Sequence, residues 1–236
     1  MRFLNTILDI VFPARCVLCG KTGVDLCREC LKDARGAERE SAKWIFPLYD
    51  YRDKSIKKSL WLLKYKGRKR LASVFAENIY EKILEELSEL SVMENFIDAI
   101  LIPIPLSRKR YRERGFNQAE LICQEIIEIN KKTNLRDSVD TNTHFSDSVN
   151  MQLENNILIK PKDTLHQAHI KDRSTRLKNM VGTFAIKNEA KSTDLIKGKN
   201  VILIDDITTT GATLSEARKV LRQAAARKVI AFTVAH

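Results

Sequence analysis

Two adjacent carboxylates, Asp205 and Asp206, precede the hydroxyl- and glycine-rich run Thr208, Thr209, Thr210, Gly211, Ala212 and Thr213. These residues point most directly to chemistry. A helix that begins right after a small-residue loop aims unpaired backbone N–H groups and the positive end of its dipole at whatever the loop holds. Threonine hydroxyls add donors at the same place, so the loop suits a phosphate. Carboxylates at the end of the preceding strand face the neighbouring part of the ligand. There they accept hydrogen bonds from vicinal sugar hydroxyls or hold Mg²⁺ through water. A phosphate at one end and a diol at the other describe a ribose 5-phosphate. No Gly-Lys-Ser/Thr follows the glycine and no G-x-G-x-x-G is present, so neither a Walker loop nor a dinucleotide fingerprint explains the run.

A second set is Cys16-x-x-Cys19 and Cys27-x-x-Cys30, with seven residues between the pairs. Each C-x-x-C presents two thiolates from one tight turn, and two pairs can grip a tetrahedral ion at about 2.3 Å. The expectation is a small knuckle around structural Zn²⁺. Disulfides are the first alternative, and a cytosolic chain disfavours them. A redox pair is the weaker one, since neither motif opens a helix after a strand. Cys123, among Leu121, Ile122 and Ile126, reads as a buried core thiol.

Cations form the third set. Lys54, Lys57, Lys58, Lys64, Lys66, Arg68, Lys69 and Arg70 make a run with no acidic residue, interleaved with Trp61 and Tyr65. Cations for phosphates and rings for stacking bases suit a single strand of nucleic acid. The same residues equally describe a solvated helix face with two aromatics turned into the core. A denser cluster, Arg108, Lys109, Arg110, Arg112 and Arg114, follows Pro105 and Leu106 in what reads as a loop. At the carboxyl end of a strand it would neutralise a pyrophosphate or a nucleic-acid backbone.

The elements that must position these groups are legible in outline. Val201 to Ile204 is an apolar run suited to a strand buried on both faces of a parallel sheet, and Leu214, Ala217, Val220 and Leu221 recur at helical spacing after it. Trp44–Tyr51 and Asp98–Pro105 read as further strands, the latter closed by prolines. Asn156–Lys160 and Thr183–Lys187 read as short strands, and Val229–Val234 as the strand that closes the sheet. Leu71 to Leu90 marks one long amphipathic helix with Glu77, Glu81, Glu85, Glu86 and Glu89 on its wet side. Gln118–Ile129 is another helix. Residues 131–156 carry no sustained period and read as a mobile surface insertion, and 188–200 as a polar connection. Gln167, Arg173, Arg176 and Asn179 are candidates to line the ligand cleft, whereas His166 and His169 read as solvated rather than metal-binding. Residues 3–12 suggest a short amphipathic helix that packs on the main domain, with a peripheral membrane contact as the lesser alternative.

The chain of 236 residues is long enough for one well-buried domain with a small appendage. Its formal charge of +11 favours anionic partners. No run approaches the ~18 apolar residues needed to span a bilayer, and no cleavable leader is evident, so the chain reads as cytoplasmic.

The strand, acid pair and T-T-G-x-T loop resemble the fingerprint of type I phosphoribosyltransferases. Taken with the four cysteines, Leu63-Lys64-Tyr65-Lys66-Gly67, Pro103-Ile104-Pro105-Leu106 leading into Arg114-Gly115-Phe116-Asn117-Gln118, and Gln167 with Arg176 and Asn179, the whole chain resembles the ComF family. The resemblance implies an α/β fold of the type I phosphoribosyltransferase kind, a mainly parallel sheet flanked by helices, in residues 43–236. It implies an N-terminal helix and Cys₄ zinc unit in 1–42. It further implies that Asp205 and Asp206 face the ribose and Mg²⁺ of phosphoribosyl pyrophosphate, that Thr209 to Thr213 hold the 5-phosphate, and that the loop after Pro105, with Leu106 and Arg114, lies near the pyrophosphate. In naturally transformable bacteria it implies a role in handling incoming single-stranded DNA beside other competence-machinery proteins. The nucleic-acid track would then comprise Lys64, Lys66, Arg68, Lys69, Arg70, Arg108, Arg110 and Arg112. The alternative is an active transferase passing ribose 5-phosphate to an acceptor with release of pyrophosphate.

Overall fold

A computed structural model describes residues 13–38, 42–94, 96, 98–137, 150–161 and 182–236. Residues 3–12, His166, His169, Gln167, Arg173, Arg176 and Asn179 lie outside this set. Five parallel strands form the main sheet in the order β1-β7-β6-β2-β3: β1 is Ile45–Tyr49, β2 Asp98–Pro103, β3 Asn150–Leu153, β6 Asn200–Ile207 and β7 Lys228–Ala235. A separate antiparallel pair, β4 (Leu158–Ile159) and β5 (Ala185–Ile186), packs beside it. The helices are α1 (Arg28–Lys32), α2 (Lys54–Tyr65), α3 (Leu71–Glu94), α4 (Arg108–Arg114), α5 (Gln118–Asp137), α6 (Glu189–Ile196) and α7 (Ala212–Gln223).

The apolar run at the centre of β6 is divided between two cores by the two-residue period of a strand. Ile202 and Ile204 join Ile56, Leu60, Leu63, Phe75, Ile79, Ile122 and Ile126 of α2, α3 and α5 on one face. Val201 and Leu203 join Ile196 of α6 and Leu214, Ala217 and Leu221 of α7 on the other. Both faces are covered, as an all-parallel sheet requires. Cys123 is fully buried in the first core, and the apolar side of the cysteine unit, Val17, Leu26 and Leu31, packs there too.

Chain path then creates a crevice. From β2 the chain passes through α4 and α5 to β3 on one side, whereas β6 lies on β2's other side and continues through α7 to β7. Neighbouring strands whose following helices cover opposite faces leave a gap beyond their carboxyl ends, where α/β sheets take ligands.

Several expectations are corrected. The stretch Val229–Val234 does not close the sheet: β7 lies inside it, between β1 and β6, and the edges are β1 and β3. Nor is 131–156 an insertion throughout. Helix α5 continues to Asp137, and 150–153 pairs in parallel with β2 as an edge strand. An edge strand that buries only Met151 shows no long apolar run. The connection 188–200 contains α6, which buries Ser192 and Ile196 one turn apart. The basic loop after Leu106 is largely α4, capped by the Ser107 hydroxyl, which accepts from the Arg110 N–H, and ended by Gly115 at φ 75°. Because α4 buries no residue, no apolar period announces it. Glu86 is buried rather than wet, and its carboxylate meets Lys82 at 3.0 Å.

Candidate functional site

The crevice between the ends of β2 and β6 is a cavity of about 320 Å³. One wall is Asp205 through Thr213, and the other gathers Ile104 to Ser107, Arg110, Arg114, Asn117 and Gln118 with Trp61, Lys64 and Tyr65 of α2. The acid pair, the threonine loop, Pro105, Leu106 and Arg114 all line this one cavity.

Strand β6 runs through both aspartates, with Asp205 in register with Thr233 and Ile207 with Ala235 of β7. The Thr208 N–H still donates to the Ala235 carbonyl at 2.9 Å. The loop leaves the ladder after that bond. Gly211 caps α7 at φ 72°, in the left-handed region that favours glycine, and a β-carbon there would lie 3.1 Å from Ile45 Cδ1. The turn therefore lies close against the Ile45 side chain of β1.

Electrostatically the pair is asymmetric. Asp206 meets the Lys64 ammonium at 3.0 Å, in a contact where both side chains are largely covered. Burial and the neighbouring Asp206 carboxylate push Asp205 up to about 7, against the opposing pull of the Asp206 N–H, Lys64 and Lys160. One carboxylate is paired with a fixed cation, while its neighbour, buried beside it, resists a second negative charge.

The second wall is tied together by polar side chains. Asn117 donates to the Ile104 carbonyl at 3.0 Å and accepts from the Ala119 N–H, joining the end of β2 to the start of α5. Arg114 donates to Gln118 Oε1 at 2.7 Å and lies over the Tyr65 ring at 5.3 Å.

The expected nucleic-acid residues are divided by the structure. Lys64 turns into the cavity to Asp206. Arg68 and Arg70 turn to Asp25 of the cysteine unit, at 3.1 and 3.7 Å. Lys66 lies over Trp61 and Lys69 over Phe116. Arg108, Arg110 and Arg112 are on α4, with Arg110 facing the cavity. Trp61 and Tyr65 are about half exposed, so they are not the core residues of a solvated helix. Sequence reasoning missed Gln118 and the inward placing of Lys64. The spacing of Trp61, Lys64 and Tyr65, which puts all three on one face of a helix, was the available signal.

A second site stands at the N-terminal end of the described chain. The Sγ atoms of Cys16, Cys19, Cys27 and Cys30 all lie within 4.8 Å of one another. Four sulfurs at 2.3 Å around a tetrahedral ion would be about 3.8 Å apart, and Cys19 Sγ and Cys27 Sγ are 3.6 Å apart. The donor set and spacing fit Zn²⁺. Burial opposes ionisation of Cys16, but N–H groups of Cys19, Cys27 and Leu18 outweigh it and bring that thiol down to about 6. Hydrogen bonding with Cys27 and Cys19 pushes Cys30 up to about 12, the crowding a bound cation relieves. The unit is braced on the pocket's second wall: Lys58 donates to the Val17 carbonyl and Arg68 to that of Arg15.

Among the described residues no helix is long and apolar enough to cross a membrane.

Residues 145–236 match the phosphoribosyl transferase domain family. The chain is 30% identical over 224 residues to competence protein ComFC of Bacillus subtilis (strain 168), covering 93% of this chain and 76% of that protein. It is 34% identical over 125 residues to competence protein F of Haemophilus influenzae, covering 52% of this chain and 44% of the relative, so it spans less than half of that protein. With the DNA utilization protein YhgH of Escherichia coli O157:H7 it shares 24% identity over 165 residues, 70% of this chain and 60% of that one. A solved hypoxanthine phosphoribosyltransferase from Staphylococcus aureus overlaps 68% of this chain and 62% of its own at 13% identity and a TM-score of 0.31, too loose an overlap to add anything. The parallel sheet, the acid pair with its threonine loop, the four-cysteine unit and the likeness to ComFC together place this chain in the ComF family, with a phosphoribosyltransferase-type domain.

Proposed function

We propose that the cavity binds phosphoribosyl pyrophosphate with Mg²⁺, and that the protein handles incoming single-stranded DNA in the cytoplasm during natural transformation. In this reading the N-terminal ends of α7 and the threonine loop, Thr208 to Thr213, receive the 5-phosphate, and Asp205 and Asp206 receive the ribose hydroxyls and the hydrated metal. Arg110 and Arg114 face the pyrophosphate beside Pro105 and Leu106. Zn²⁺ in the four-cysteine unit is structural. Competence-machinery proteins are the expected macromolecular neighbours, as the names of the relatives suggest.

The observation that carries the reading is the meeting, in one cavity, of an acid pair at a strand end, a threonine loop over a helix N-terminus, and arginines on the opposite wall. Groups that suit a phosphate, a ribose and a pyrophosphate, the three parts of phosphoribosyl pyrophosphate, line the same cavity. Titration calorimetry with phosphoribosyl pyrophosphate and Mg²⁺ tests it directly. Heat of association is expected for the native protein and its loss for Asp205→Asn/Asp206→Asn, and no heat with the native protein would remove the proposal.

For DNA, the proposed track runs over Lys66, Lys69, Arg108, Arg110 and Arg112, with Arg68 and Arg70 contributing at its border with the cysteine unit. Affinity for a single strand should fall steeply with salt, since each neutralised phosphate releases counterions. Binding indifferent to salt would count against the track.

Transfer of the ribose 5-phosphate to an acceptor is the second reading. What favours it is that Trp61 and Tyr65 line the cavity along with the acid pair, an apolar surface that an acceptor could use. Pyrophosphate release on incubation with a panel of bases, absent in the double aspartate variant, is its test.

A further inference from the structure

We infer that a second cavity, on the outer face of α7, is a binding site for two or three linked phosphates, separate from the cavity at the strand ends. The inference does not rest on the function proposed above.

This cavity measures about 250 Å³ and is lined by Trp44, Ser215, Arg218, Lys219 and Arg222, none of which lines the first one. Ser215, Arg218, Lys219 and Arg222 stand at i, i+3, i+4 and i+7 of α7, so they share one face of the helix. Trp44, the residue before β1, packs against the cores on both faces of the sheet. The Arg218 guanidinium lies over its ring, 4.5 Å from the centroid. At the other end of the group, Arg222 Nη1 donates to the Ala226 and Arg227 carbonyls that follow the helix.

Three cations gather here without an acid. The single carboxylate of α7, Glu216, is buried and accepts from the Gly182 N–H at 2.7 Å. Arg218 and Arg222 are one turn apart, a like-charge spacing that costs helix stability. Burial, and then the Arg222 guanidinium, lowers Arg218 from its ordinary value, and no anion opposes them. Arg218 Nε is buried and has no hydrogen-bond partner among the described residues. A buried charged donor without an acceptor is unfavourable, and a ligand oxygen would supply one.

These observations narrow the ligand. A guanidinium takes an oxyanion side-on, through Nε and one Nη together, which gives Arg218 the acceptor it lacks. A carboxylate brings one negative charge and a phosphate end about two, and three cations on one small cavity call for the denser charge. From Arg218 to Arg222 the helix rises about 6 Å, a span that suits linked phosphates better than a single one. The Trp44 ring is taken up by Arg218 and the cores, so recognition falls to the phosphates alone. Inorganic polyphosphate and the tail of a nucleotide share that chemistry.

The full-length, zinc-loaded Trp61→Phe protein tests the site, because it leaves Trp44 as the single indole of a chain with two tryptophans. Trp44 emission is followed at about 0.15 M salt, where diffuse attraction to a basic chain is screened, during titration with tripolyphosphate, ATP, adenosine and hexaglutamate. Tripolyphosphate and ATP are expected to change it with equal midpoints, and adenosine to leave it alone. Arg218→Gln should weaken both phosphates at least about tenfold, the loss of one charge-assisted hydrogen bond. Lys219→Glu should do the same, and it decides the matter if Arg218→Gln disturbs the packing on Trp44, since Lys219 makes no hydrogen bond or ion pair among the described residues. Arg110→Gln/Arg114→Gln, in the first cavity, should leave both midpoints where they are. Unchanged Trp44 emission with either phosphate, or a loss that follows Arg110 and Arg114 instead of Arg218 and Lys219, overturns the site. Hexaglutamate binding as tightly as tripolyphosphate overturns the assignment to phosphate, and ATP binding tenfold tighter overturns recognition by phosphates alone.

Discussion

The two walls of the cavity are made in different ways. Asp205 to Thr213 is one continuous stretch whose shape is set by backbone: the ladder with β7, the Thr208 bond to Ala235, and the left-handed turn at Gly211. The facing wall is gathered from α2, the β2–α4 turn and the start of α5, and is held by side chains, Lys64 to Asp206, Arg114 to Gln118 and Asn117 to Ile104. The first wall should therefore be rigid and sensitive to backbone change. The second should depend on its braces, the cysteine unit among them.

The largest expected effect comes from removing that brace. Structural zinc contributes apparent binding free energies of about 10–16 kcal/mol to small domains, so chelation or Cys27→Ser should open residues 13–38 to limited proteolysis. Single-strand binding should fall with it while phosphoribosyl pyrophosphate still binds the backbone-built wall. If both fall together, the walls are not independent.

Next in size is Asp206→Asn, which leaves Lys64 largely covered without its countercharge. A stability loss of about 2 kcal/mol is expected in urea unfolding, less than for a fully buried pair, and Lys64→Met in the same background should recover much of it. An additive double variant would show that the pair does not couple the walls.

Asp205→Asn should act in the opposite direction. The native carboxyl is raised from 3.8 to about 7, so between those values the folded chain keeps a proton that the unfolded chain has released. Stability contributed by this group therefore falls as pH rises from about 4 to about 7 and stays low above that. The variant should be unchanged at pH 4 and about 1–2 kcal/mol more stable at pH 8. Urea midpoints at the two pH values decide, and a pH slope that survives the substitution would place its origin elsewhere.

The smallest effect sharpens the contrast most. Gly211 and Gly115 share nearly the same φ, 72° and 75°, but a β-carbon at Gly115 meets nothing within 4 Å, whereas at Gly211 it meets Ile45. Both alanine variants pay for the left-handed backbone, about 1 kcal/mol. Gly211→Ala should cost a further few tenths to 1 kcal/mol in thermal unfolding and weaken ligand binding. Equal losses would mean that Ile45 yields freely.

What the sequence disclosed follows the same division. The β6 strand, its acid pair and loop, and the two C-x-x-C pairs are local patterns, and local patterns survive in a string of letters. Contacts between distant segments do not. Nothing near Lys64 marks Asp206 as its partner, and nothing near Arg68 marks Asp25. Helix α4 buries no side chain, β3 buries one, and α6 buries two, so hydrophobic period had little to register. The interior place of β7 was hidden for another reason: strand order is a matter of chain crossings, and an apolar run reads alike in every central position.

The gap between β2 and β6 exists because the chain turns opposite ways on leaving two adjacent strands. No side chain has to be small, and no loop has to part, for that hollow to be there. Substitutions in the bordering segments can change what fills it without closing it, which leaves this scaffold free to change ligands while its sheet stays the same.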